Sequence, residues 1–91
     1  MQEFRKRSTT FAIQFTGDNV DEIHAVTGYL NFRLVQPVDV ADGKPITAEV
    51  YDFIHGTWIG VRDGDWIAEG PKGENYPIDP EVFELTYEPC T

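Results

Sequence analysis

The chain has 91 residues, 41% hydrophobic and 13% aromatic, and a net charge of −9. That size makes one domain, residues 1–91, and the composition is globular, not disordered. No run approaches the ~20 apolar residues that a membrane-spanning helix needs, and no apolar stretch follows the charged start Met1–Arg7, so neither a membrane contact nor a secretory leader is expected.

The charge is unevenly placed. Residues 63–91 carry eight acids against one lysine, a balance of −7, while residues 1–62 carry eight acids and six bases, a balance of −2. Such a surface repels nucleic-acid phosphates, so direct binding to duplex nucleic acid is not expected; the one basic run, Arg5-Lys6-Arg7, reads as a solvated strand end. The single cysteine, Cys90, has no partner for an internal disulfide, which fits a reducing cytoplasm.

In chain order, Phe11, Ile13 and Phe15 alternate on one side of a first strand, and Thr16-Gly17-Asp18-Asn19 is a turn. Asn19 stands three residues before Glu22, the spacing of a capping box. Val20, Ile23, Val26 and Thr27 then recur at helical spacing, so residues 19–27 are predicted to form a short amphipathic helix packed by Val20, Ile23 and Val26, with Gly28 ending it in a left-handed conformation. Leu30–Val40 reads as extended, with Pro37 marking an edge or a bulge. A turn at Asp42–Pro45 precedes a strand over Ile46–Ile54, with Ile46, Ala48, Val50 and Asp52 on one side and Thr47, Glu49, Tyr51 and Phe53 on the other. A two-residue hairpin connection at His55-Gly56 leads into a strand over Thr57–Val61, with Trp58 and Ile59 on opposite faces. After Asp63-Gly64, a strand over Asp65–Glu69 puts Trp66 and Ala68 opposite Ile67. Pro71–Gly73 is a turn, Asp79-Pro80 starts a short helix or single turn through Glu84, and Leu85–Glu88 is expected to close as a strand. The fold class expected is α+β: a small, curved antiparallel sheet or partly open barrel with one short helix packed across it.

The side chains that carry chemistry do not assemble into a known pattern. His24 and His55 lack the companions of a zinc site. Asp39, Asp42, Asp63 and Asp65 sit in two separate turns without a calcium loop. Ser8 and Cys90 have no histidine near them in sequence. No glycine-rich loop opens the helix to cradle a phosphate. No metal, cofactor or catalytic residue is assigned, and the chain reads as a binding protein, not an enzyme.

The aromatic residues are more informative. Tyr51 and Phe53 lie on the strand face opposite Ala48 and Val50, and Trp58, Trp66 and Tyr76 follow within the same half of the chain. If no second layer covers that face, it is an apolar patch of the kind that meets a protein, a flat ligand or a second copy of the chain. Tyr51, Phe53, Trp58, Trp66, Lys72 and Tyr76 are the candidate binding residues.

Two stretches also resemble a family. Gly64-Asp65-Trp66-Ile67, Gly70, Lys72-Gly73-Glu74, Tyr76-Pro77, Pro80, Phe83-Glu84 and Thr86-Tyr87-Glu88 resemble the C-terminus of a family of short, uncharacterised proteins of tailed phages and prophages. Phe4-Arg5-Lys6 and Gln14-Phe15-Thr16-Gly17, before the Asn19–Thr27 helix, are similar to the start of the same family. The likeness covers about half of the chain, the middle Tyr29–Thr57 being variable. The chain departs from the family at Ile78, where members often carry Cys, and at Asp79, where they often carry Lys. The resemblance implies a phage protein acting in the cytoplasm of the host bacterium, and no biochemical activity comes with it. Three roles are then expected in turn: sequestering a host or defence protein, acting as an oligomeric sponge that holds a small nucleotide signal against Trp66, Tyr76 or Lys72, or serving in the virion.

Overall fold

The computed structural model describes residue 2 and residues 11–87. Arg5-Lys6-Arg7, Ser8 and Cys90 lie outside them.

Two three-stranded antiparallel sheets face each other. The first has the order β1 (Ala12–Gln14), β5 (Trp66–Glu69), β6 (Asn75–Ile78); the second has the order β2 (Phe32–Val38), β3 (Ile46–Asp52), β4 (Thr57–Arg62). Two helices, α1 (Val20–Thr27) and α2 (Pro80–Thr86), complete an α+β fold. The sheets do not close into a barrel.

Alternation sets the core. Phe15, Ile23, Phe32, Ala48, Val50, Val61 and Ile67 are buried in one cluster, with Ile13, Val20 and Ile59 against it. Register aligns these layers: Ile13 pairs with Ile67, Phe32 with Val50, and Val50 with Ile59. Phe15 extends the first sheet past β1, its N–H donating to the Asp65 carbonyl at 2.8 Å and its carbonyl accepting from the Gly64 N–H at 2.7 Å. Phe11, expected on the buried side, is 68% exposed at the sheet end.

Helix α1 lies where its spacing predicts, but Asn19 does not cap it. The Asn19 side chain is committed backwards: its Oδ1 accepts from the Thr16 N–H and its Nδ2 donates to the Gln14 carbonyl, both at 2.8 Å. It clamps the turn that delivers the helix. Val26 also departs from expectation and is exposed, while Thr27 is buried. At about 100° per residue, Thr27 falls between Val20 and Ile23, whereas Val26 falls about 60° beyond Ile23 on the other side. The Thr27 hydroxyl satisfies itself within the helix, donating to the Ile23 carbonyl at 3.0 Å. Gly28 ends α1 at φ +92°.

Three other expectations are corrected. Strand β6 is not among the elements expected from the sequence; as the outer strand of its sheet it tolerates Pro77, which lies opposite Ile67. Helix α2 continues through Thr86, so no strand forms over Leu85–Tyr87. The β3–β4 connection is four residues, Phe53–Gly56, with Asp52 opposite Thr57. Pro37 behaves as foreseen, in an edge strand whose register shifts between Leu34 and Val38.

Candidate functional site

Strand β3 alternates between a buried face (Ala48, Val50, Asp52) and a half-buried one (Glu49, Tyr51). The register brings Arg33 of β2 and Gly60 of β4 opposite Glu49, and Trp58 opposite Tyr51. These residues form the outer face of the second sheet. Tyr51 meets Trp58 edge-on, with ring centroids 5.3 Å apart and planes at 61°. The Arg33 guanidinium lies 3.8 Å from the Trp58 ring centroid, a cation–π contact, and its Nε and Nη2 bond Glu49 Oε1 at 2.9 and 2.8 Å. The Arg33 side chain remains 53% exposed.

Ile46 joins this face, contrary to the alternation expected. A register shift between Ile46 and Ala48 pairs Ile46 with Arg62 and turns its side chain onto Gly60, where its Cδ1 lies 2.8 Å from the position a Cβ would take. A glycine is needed there to admit it. At the far end, the β3–β4 turn holds Phe53 and Ile54 out, 53% and 43% exposed.

Asp52 organises that turn. Its Oδ1 accepts from the Ile54 and His55 N–H groups at 2.9 and 3.4 Å, and its Oδ2 lies 2.6 Å from His55 Nδ1. The His55 bond, opposed by desolvation and aided by the two amides, holds the Asp52 carboxyl below its ordinary value. An aspartate that orients an imidazole is also found in hydrolytic triads, but no hydroxyl or thiol among the described residues bonds His55. His24 serves the fold: its Nε2 lies 2.9 Å from the Phe32 carbonyl, tying α1 to β2. Among the described residues no three His, Cys, Asp or Glu side chains are placed to hold a metal ion.

The six sequence-predicted residues divide between the two sheets. Tyr51 and Trp58 touch, and Phe53 stands in the turn between their strands. Trp66 and Tyr76 belong to the first sheet, where Phe83 of α2 covers Trp66 and Tyr87, just past the helix, meets Tyr76. Phe83 stacks flat on Trp66, with centroids 4.2 Å apart and planes at 7°, and Tyr87 stacks on Phe83 at 4.8 Å. Burial, then a hydrogen bond with Tyr87, pushes the Tyr76 hydroxyl above its ordinary range. Lys72 is in the exposed β5–β6 turn, where its backbone N–H donates to Glu74 Oε2 at 2.9 Å. The bases that a nucleotide would need do not converge: Arg33 is paired with Glu49, Arg62 with Asp42 at 3.5 Å, and Lys72 is on the other sheet. Arg33, like Ile46, belongs to this face without being among the candidate binding residues. The available signal was its charge, opposite to that of Glu49 in a neighbouring strand.

Among the described residues, fold and site define a small α+β domain that uses one sheet face for its own second helix and leaves the other half-buried and aromatic. No protein-family model, curated protein or solved structure matches the chain.

Proposed function

We propose that the chain is a non-enzymatic binding protein whose contact surface is the outer face of the second sheet, built from Ile46, Tyr51, Phe53 and Trp58 with Arg33. One observation carries this reading. Trp58 packs against Tyr51 and Arg33 and is left half-buried, the kind of aromatic anchor flanked by arginine that dominates binding energy at protein interfaces. The acidic balance of the chain suits a partner with a basic surround. The resemblance to tailed-phage proteins supports a partner among the proteins of an infected bacterium, either a host or a defence component, met in the host cytoplasm.

The nucleotide-sponge reading has less support, because Phe83 already occupies the Trp66 face on which a base would stack. A second copy of the chain is the other protein that could cover the open face, against the self-repulsion of a −9 charge.

The test is recovery of bound protein from host lysate by the wild type, by Trp58→Ala and by Leu85→Ala, the last on the exposed side of α2. The reading expects a discrete partner with the wild type and Leu85→Ala, and its loss with Trp58→Ala. Equal recovery by all three would overturn it. Light scattering of the purified chain separates a partner protein from self-association.

A further inference from the structure

The chain contains two Asp-Gly steps, Asp42-Gly43 and Asp63-Gly64. Asp-Gly is the dipeptide most prone to spontaneous isomerisation, since glycine offers no side chain to hinder attack by its own amide nitrogen. Reaction requires that nitrogen to be free and the aspartyl side chain to rotate. The two steps differ on both counts.

Asp42 and Gly43 sit in the β2–β3 connection, in which every residue from Ala41 to Pro45 is exposed. The Asp42 side chain is 87% exposed, and its contact is a long ion pair with Arg62 Nη2 at 3.5 Å. Gly43 lies in an exposed turn between β2 and β3, so its N–H is held by no strand ladder. At the other step, the Gly64 N–H donates to the Phe15 carbonyl at 2.7 Å, and Asp63 Oδ1 accepts from the Thr47 hydroxyl at 2.6 Å. The Asp63 carboxylate also packs against Gly17, where a Cβ would lie 2.9 Å from its Oδ2. Nucleophile and electrophile are both tied down by the sheet.

The geometry points to Asp42-Gly43 as a site of spontaneous isoaspartyl formation in the folded protein, with Asp63-Gly64 protected by the fold. The Gly43 amide nitrogen attacks Cγ of the protonated Asp42 carboxyl, the C–N bond forms as the Cγ–OH bond breaks, and the hydroxyl leaves with the amide proton as water. The resulting succinimide takes up water at either carbonyl, giving back aspartate or giving isoaspartate. Water lost equals water gained, and no oxidant or co-reactant is needed. The product carries an extra backbone methylene in the turn that feeds Ile46 into β3. The site stands independently of the proposed contact face.

The test is prolonged incubation of the native chain at neutral pH and physiological temperature, alongside a urea-unfolded sample. Proteolysis and electron-transfer fragmentation then distinguish isoaspartate from aspartate at each position. Isoaspartate is expected to accumulate at residue 42 of the folded chain about ten-fold faster than at residue 63, the ratio that two tethering hydrogen bonds supply. In urea the two rates should converge. Equal accumulation at both positions in the native chain would overturn the inference. So would an unreacted Asp42 in the native chain when both steps react in urea.

Discussion

Arg33 of β2 reaches across β3 to lie 3.8 Å from the ring centroid of Trp58 on β4, a contact that spans the whole width of the second sheet. It depends on Glu49, the middle residue of the Arg33–Glu49–Gly60 row, which holds the guanidinium, and on Gly60, which adds no side chain to that row. Both partners are partly solvated, so the arrangement orients Trp58 more than it stabilises the fold. Arg33→Ala should lower the unfolding free energy by about 0.5–1 kcal/mol. In a Trp66→Phe background, where Trp58 is the sole tryptophan, it should also change the emission spectrum. Urea titration followed by fluorescence reads both.

Helix α2 has seven residues, too few to hold by itself. Its N-terminus is capped by Asp79, whose Oδ1 accepts from the Glu81 N–H at 2.9 Å, and its anchor is Phe83 on Trp66. Phe83→Ala should cost about 2 kcal/mol, less than a fully buried aromatic, because the ring is half-exposed. Amide exchange should speed most over Pro80–Thr86, while β3 and β4 stay protected. Uniform acceleration across the chain would show that α2 is not a separately anchored unit.

Two buried aspartates should respond to pH in opposite directions. The Asp52 carboxyl is held low, chiefly by His55, so its stabilising contribution is present above the ordinary value of 3.8 and is lost as pH falls through its lower folded value. Asp65 is raised, chiefly by desolvation and against the Arg62 N–H that it accepts at 3.0 Å. Its ionisation therefore costs stability at neutral pH, and acid relieves that cost as pH drops through the raised value. Asp52→Asn should lower the melting temperature at neutral pH, with the deficit closing below the carboxylate range. Asp65→Asn should raise it, with the gain shrinking as the wild type takes up its proton. Melting temperatures of the three proteins across the acid range test both signs.

Gly17 combines a φ of +103° with a Cβ position 2.9 Å from Asp63 Oδ2. Gly17→Ala should destabilise by about 1–3 kcal/mol through backbone strain and displacement of the Asp63 carboxylate. Gly73, at φ +81° with nothing near its Cβ position, carries the strain alone, so Gly73→Ala should cost less. The difference in urea midpoints measures the Asp63 contribution.

Much of this fold is legible in the sequence because single-strand alternation and helical spacing are local. Ala48, Val50 and Asp52 face inward as their period requires, Trp58 and Ile59 separate, and Asp79-Pro80 starts a helix. What is not legible depends on a partner strand. The shift that moves Ile46 to the outer face appears only when β3 is laid beside β4. Pro77 argues against a strand until β6 is known to be an edge. Asn19 has the spacing of a cap, yet its amide finds better partners in Thr16 and Gln14. The site divides in the same way. Tyr51 and Phe53 are legible as a second face, but only α2 explains why Trp66 and Tyr76 face Phe83 and Tyr87 and not solvent.

The most direct test of the proposed contact face is site-specific photo-crosslinking in bacterial cells that express the chain. A photoreactive phenylalanine analogue at Tyr51, on the outer face of β3, is compared with the same analogue at Val82, on the exposed side of α2. The account predicts a discrete crosslinked adduct from position 51, lost when Trp58→Ala is added, and none from position 82. An adduct from position 82 with none from position 51 would contradict it.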